Sequence, residues 1–392
     1  MPATHPETLV VGASISGLAL AACLQEQGID YALIEQEKEI AHPWRNHYER
    51  LHLHTSKRFS NLPYKKFGTS IPRYPSRQQV IDYLEEYRQA FSIQPLLNTR
   101  ATSIKRIDDH WVTETTRGQF VTRYLIMATG AYGRPRPVDI NGIGSFTGKT
   151  LHSQDYKTAS DYPGQRVLVV GFGNSACEIA IDLCEKGLSP AMSVRSPVNV
   201  IPRDVLGIPV LELSMLLRRL KPSLADWISK PLVDLLIGDI TALGLRKKPY
   251  GPLEQIQREA AAPVLDIGTM RLIRQDRIKI YGAIDRVEGE RVYFKDGQTR
   301  DFDVIVAGIG YYRDYAEIVA IDKERFEDLR RPVDLQQFFG KDGLYFCGYW
   351  VSPTGQIREI GLDARKIARD IARKKKWDVS RSGASGQVDA RE

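Results

Sequence analysis

Short apolar runs closed by glycine recur along this chain, and their order suggests how it folds. Thr8 to Val11 is a four-residue apolar strand that runs into a glycine-rich turn. Apolar periodicity then predicts a helix over Leu18 to Gln27 and a second strand over Tyr31 to Glu35. The same unit returns later: a strand at Arg166 to Val170, a turn at Gly171 to Gly173, a helix at Ser175 to Lys186, and a strand at Ala191 to Arg195. Strand, helix and strand in that succession make a βαβ unit, used here twice. Three further apolar runs end in small residues: Leu125 to Gly130, Val304 to Gly310 and Leu344 to Gly348. Each reads as a buried parallel strand that stops at a crevice.

The turns carry chemistry. Gly12, Ser14 and Gly17 form G-x-S-x-x-G between the first strand and helix. Gly12 permits the tight turn, and Gly17 lets the helix pack close. The free N–H groups of the helix end face a pyrophosphate. Glu35 ends the next strand, where a carboxylate accepts from ribose hydroxyls and repels a 2′-phosphate, so this turn suits FAD. The second turn is G-x-G-x-x-A at Gly171, Gly173 and Ala176. No acid follows it; Arg195 stands there instead, a cation suited to the 2′-phosphate of NADPH, with Arg203 a weaker candidate. Two dinucleotide sites in one chain fit hydride passing from NADPH to a flavin.

These elements predict an α/β fold with two Rossmann-like dinucleotide-binding domains, the NADPH domain inserted into the FAD domain. The expected FAD domain is discontinuous, residues 1–162 and 300–377. The NADPH domain spans 163–299 with a helical insertion at 205–262, amphipathic over 205–245. Residues 378–392 are expected to be a disordered tail.

Charge and cysteines narrow the picture. The 392 residues carry +7, and from Ala364 to Glu392 nine Lys/Arg stand against four acids, so most of the excess lies at one end. The basic run Arg373 to Lys376 fits a solvated helix end better than a nucleic-acid or lipid site. The four cysteines, Cys23, Cys177, Cys184 and Cys347, include no C-x-x-C pair, which argues against disulfide-reductase chemistry. No zinc-like spacing occurs and no metal is expected. With no signal-like N-terminus and no long apolar stretch, a cytoplasmic protein without a membrane span is expected. The partners would be O₂ and a small molecule, with no nucleic acid; a homodimer would be ordinary.

Between the two turns, Phe146, Gly148, His152 and Tyr156 form F-x-G-x-x-x-H-x-x-x-Y. This resembles the identifying motif of class B flavin monooxygenases, in the form that ends in Tyr and not Trp. The stretches 48–64, 74–87, 167–184, 194–207, 238–254, 263–280 and 362–371 further resemble, in order, the plant YUCCA family of indole-3-pyruvate monooxygenases. The resemblance implies FAD, NADPH and O₂, a C4a-(hydro)peroxyflavin, and oxidative decarboxylation of an aryl 2-oxo acid. N- or S-oxygenation or Baeyer–Villiger oxidation is the alternative.

It also implies a site. His54 falls at an active-site position of the family, where it would bond oxygenated flavin or the nicotinamide amide, unless it is a surface histidine. Arg358 would bind a substrate carboxylate or pair with Glu359. It lies in Ser352 to Glu359, a stretch that departs from the family's usual text. His152 reads as a structural tie of the connector and less readily as a base. The residues assigned to cofactor binding are Gly12, Ser14, Gly17, Glu35, Trp44, Arg45, Gly130, Gly171, Gly173, Asn174, Ser175, Arg195, Gly310, Gly348 and Gly355.

Overall fold

The computed structural model describes residues 4–130, 134–217, 220–259, 261–312 and 339–385. Nine strands build two parallel sheets. In chain order they are β1 (Thr8–Val11), β2 (Tyr31–Ile34), β3 (Tyr124–Met127), β4 (Lys149–His152), β5 (Val167–Val170), β6 (Ala191–Ser193), β7 (Lys279–Tyr281), β8 (Val304–Ala307) and β9 (Leu344–Phe346). The first sheet has the order β2-β1-β3-β9 and the second β7-β6-β5-β8-β4. Every neighbouring pair is parallel. The chain leaves β1 for β2 on one side and returns at β3 on the other, and leaves β5 for β6 and returns at β8, so each sheet has a switch point where a crevice opens at the strands' carboxyl ends.

Six helices matter for the site: α1 (Ile15–Glu26), α2 (Arg77–Ala90), α3 (Asn174–Glu185), α4 (Val210–Leu217), α5 (Pro222–Ile237) and α6 (Gln356–Ser385). α1 is almost wholly apolar and is sandwiched in the first core together with α6. α2 starts at a capping box: Ser76 Oγ accepts from Gln79 N and Gln79 Oε1 accepts from Ser76 N. Each half also has an antiparallel three-stranded meander, Ala101–Ile107 to Gly118–Thr122 beside the first sheet and Ile284–Glu288 to Thr299–Asp301 near the second. Trp111, 2% exposed, plugs the first meander onto its sheet and donates its indole N–H to Asp342 O at 2.9 Å.

Strand pairing redraws the expected domain boundaries. β4 and β8 were assigned by sequence to the FAD domain, yet both hydrogen-bond into the second sheet, β8 directly against β5. The reason is physical: LIMATG and VIVAGIG are both apolar runs closed by glycine, and nothing in either run names its neighbour. The C-terminus also differs. α6 continues to Ser385, through the first part of the expected tail, while 386–392 lie outside the described residues. Its basic run folds back onto the protein: Lys374 donates to Gly340 O at 2.6 Å and Lys375 pairs with Glu7 at 2.7 Å. No helix among the described residues is long and apolar enough to cross a membrane.

The motif residues tie the connector to the second domain. Tyr156 is fully buried, stacks on Tyr162 and donates to Asp182 Oδ2 on α3 at 2.6 Å; the same oxygen accepts Ala159 N–H at 2.8 Å. Tyr156→Phe should remove one charge-assisted bond at almost constant shape. The expected loss is about 1–2 kcal/mol, read as a lower thermal midpoint with flavin content retained.

Candidate active site

The two turns are built alike. Gly12 N–H donates to Ile34 O at 2.8 Å, and Gly171 N–H donates to Ser193 O at 2.9 Å. Both glycines have positive φ, 106° and 114°. A Cβ at Gly12 would lie 2.9 Å from Ala128 O, and one at Gly171 would lie 2.5 Å from Gly308 O. Gly17 is the tightest: its Cβ would meet Gly12 O at 1.9 Å. Helix and turn are therefore in backbone contact, and only glycine fits.

The helix starts are open. Neither Ser14 nor Gly173, the N-cap residues of α1 and α3, makes a side-chain cap bond. The first N–H groups are left for an anion, as a pyrophosphate requires. Space opens where a Cβ would stand on Gly173, which allows close approach of a phosphate. Glu35 is 8% exposed and accepts from Ala13 N at 2.7 Å and Glu37 N at 3.1 Å. A carboxylate so held keeps acceptor capacity for ribose hydroxyls. The residues present thus fit FAD at the first turn and a dinucleotide at the second.

Other assigned residues divide into those that reach the crevices and those already occupied. Gly130, Gly310, Gly348 and Gly355 all have positive φ and end or follow strands beside the turns. A Cβ at Gly348 would strike Ser16 Oγ at 2.3 Å, and one at Gly355 would lie 2.9 Å from Thr55 Cγ2. Arg195 is exposed and has no side-chain partner among the described residues, as a waiting phosphate ligand would. The strand ends at Ser193, however, so backbone equivalence with Glu35 falls on Val194 and Arg195 sits one residue further along. Arg203 is occupied, stacked over Tyr74 at 4.0 Å and paired with Asp204 at 2.9 Å.

Three assigned side chains serve the scaffold. Asn174 donates to Pro263 O at 3.2 Å and accepts from Leu265 N at 2.9 Å. Arg45 is held by Glu39, Glu85 and Ile40 O. Trp44 packs against the first core. Ala41 N–H donates to Ala13 O, which keeps this segment beside the first turn all the same.

The motif behaves as a clasp. A Cβ at Gly148 would meet Asp303 O at 2.3 Å, and Phe146 packs into the core under the second meander. Both His152 nitrogens are used: Nε2 bonds Gly310 O at 3.1 Å and Nδ1 accepts Gln154 N–H at 3.1 Å. Burial lowers its pKa, so the ring stays neutral and ties the connector to the strand end.

His54 lies at a contact between the two halves. Thr55, next to it, touches Gly355, and His54 Nε2 lies 2.5 Å from Glu178 Oε1 on α3. Arg358 does not face an open space unpaired. It contacts Glu359 at 2.5 Å, and Thr354 bonds the same carboxylate. Of the two readings left open for it, the pairing is the one that forms.

Several site residues were not singled out by sequence. Glu178 and Asp182 are one turn apart on α3 and both buried; Glu178 holds His54 from the first half, and Asp182 holds Tyr156 of the connector. Two buried acids on an apolar helix demand partners, and that signal was present in ACEIAIDL. α4 is tied to two segments of the first half: Ser56 Oγ donates to Glu212 at 2.7 Å, and Ser214 Oγ donates to Pro353 O at 2.8 Å. No short-range pattern announces those bonds.

Two dinucleotide cradles in one chain define a flavin-dependent, pyridine-nucleotide-driven oxidoreductase, and comparison with known proteins narrows the class. Residues 9–204 match the pyridine nucleotide-disulphide oxidoreductase family model. A flavin-containing monooxygenase from Stenotrophomonas maltophilia shares the fold at TM-score 0.67, 19% identity, over 94% of this chain and 99% of that one. Cyclohexanone monooxygenase does so at TM-score 0.73 and 16% identity, over 95% and 88%. Indole-3-pyruvate monooxygenase YUCCA6 of Arabidopsis thaliana is 38% identical over 93% of this chain and 89% of the relative. YUCCA4 of Oryza sativa subsp. japonica is 34% identical over 94% and 88%. The chain is a flavin-dependent monooxygenase that uses FAD and NADPH. It belongs to the YUCCA family of indole-3-pyruvate monooxygenases.

Two expected outcomes follow from this geometry. Gly17→Ala should lose most of its flavin absorbance and roughly 1–3 kcal/mol of stability, because the turn must move to admit the methyl. His47, beside Tyr48, is pushed down to about 4 by burial and by Lys157 and Arg77. Between pH 6.5 and 4 the unfolded chain binds its proton and the folded chain does not, so stability rises with pH in that window. Acidification through it should cost wild type about 2–3 kcal/mol more than His47→Asn, measured by denaturant midpoints at each pH.

Proposed function

We propose that this enzyme oxidatively decarboxylates an aryl 2-oxo acid, with indole-3-pyruvate giving indole-3-acetate. The observation that carries this reading is whole-length similarity, 38% over 93% of the chain, to a protein named for that substrate. The balance is one 2-oxo acid, O₂, NADPH and a proton giving the acid one carbon shorter, carbon dioxide, water and NADP⁺.

Bound FAD, reduced by NADPH, would supply the activation of O₂, one atom of which is transferred to the substrate. The chain's own residues position and enclose. The two bare helix ends hold the pyrophosphates, and Glu35 fixes one ribose. α4, fastened to Ser56 and Pro353, roofs the junction and limits water there. His54 stands at that junction with Nδ1 lacking a protein partner among the described residues. The self-paired loop Ser352 to Glu359 leaves Arg358 neutralised, so substrate selection rests on the enclosure's shape more than on a guanidinium clamp.

The test is product identity. Purified holoenzyme with NADPH, O₂, catalase and indole-3-pyruvate or phenylpyruvate should form the acid one carbon shorter, in step with NADPH used. Catalase is needed because free peroxide decarboxylates 2-oxo acids unaided. NADPH consumption without the shortened acid would overturn the substrate assignment and turn attention to amines, sulfides and ketones.

A further inference from the structure

Glu178 has a part to play beyond holding the fold together. Its carboxylate is 1% exposed and lies on α3, one turn past the bare helix end at the second cradle. Both of its oxygens reach across to the flavin-side loop. Oε1 is 2.5 Å from His54 Nε2, and Oε2 accepts from Arg50 NH1 at 3.0 Å. Arg50 then forks onto Glu185, at the far end of the same helix, at 2.9 Å for each contact. Tyr48, three residues before Leu51 in this loop, hydrogen-bonds Ser175 on the first turn of α3. One loop is thus fastened to the whole length of the nucleotide helix, and the buried charges at the centre are paired.

The chemistry of the pair selects a tautomer. Arg50 is donor-only and satisfies Glu178 as a carboxylate, which only accepts. His54 Nε2 must therefore carry the proton, which leaves Nδ1 as the ring's free position. We propose that Glu178 is a positioning residue: it fixes His54 in the Nε2–H form at the junction of the two cradles and locks the NADPH-side helix to the flavin-side loop. The chain then presents between the two cradles an imidazole whose orientation and proton are set in advance. This rests on the monooxygenase assignment but not on the substrate.

Glu178→Gln tests it with little change in shape. Arg50 requires an acceptor, so the amide oxygen turns to Arg50 and the amide N–H₂ turns to His54. Nε2 is then forced to accept, and His54 flips to the Nδ1–H form. NMR of isotope-labelled histidine, assigned with His54→Asn, should show that exchange of tautomers. NADP⁺ binding to the FAD-loaded enzyme, titrated without substrate, should weaken roughly tenfold, the scale of one lost hydrogen bond to a charged group. Melting point and flavin content report folding separately. An unchanged tautomer with NADP⁺ affinity within about twofold of wild type would overturn the proposal. Arg50→Lys is the second variant, since it keeps both Glu178 and a cation. It should retain the Nε2–H form, and inversion there would equally contradict Glu178 as the determinant. None of these readouts depends on the 2-oxo acid, so they stand or fall apart from the product assay.

Discussion

The structure depends on backbone contact at two turns. Gly12 presses on Ala128 O, Gly171 presses on Gly308 O, and the helix behind the first turn rests on the turn itself through Gly17. With a methyl group at these positions the helix ends would retreat from the strand ends. Their dipoles and free N–H groups would then no longer meet at the crevice where a pyrophosphate sits. Both halves of the molecule, each a parallel sheet with a meander beside it, place one such turn at a switch point. The enzyme is a repetition of one solution, joined through contacts such as Glu178 to His54.

The joining is polar where the cores are not. α3 carries two buried acids on its inner side, and each fastens a piece of chain from outside its own βαβ unit. Asp182 takes Tyr156 and the Ala159 amide; Glu178 takes His54 and Arg50. Buried charges are costly without partners, so the Glu178 contacts specify one relative placement of the halves, and the Asp182 contacts one seating of the connector, more sharply than apolar packing would. His152 does similar work with neutral bonds, binding Gly310 O at a strand end.

Much of this was legible in sequence because it is local. Glycine spacing, an apolar strand before it and a helix after it define each cradle, and Glu35 and Arg195 follow at the end of the next apolar run. The observed helices start within three residues of the expected positions. What was not legible is long-range. VIVAG and LIMATG look alike, so β8 was placed in the wrong sheet. Arg45 and Asn174 were assigned to cofactor binding, yet partners 40 and 89 residues away in sequence occupy them. His54 came from family resemblance alone; its carboxylate partner, 124 residues on, is visible only in three dimensions.

The central claim is that the two cradles hold FAD and NADPH for one hydride transfer at their junction. The most direct measurement is anaerobic mixing of the FAD-loaded protein with NADPH, and then with NADH, in a stopped-flow spectrometer. The account predicts full loss of oxidised-flavin absorbance at one NADPH per flavin, with NADH much slower and Arg195→Ala erasing the preference. Flavin that stays oxidised under NADPH would contradict it.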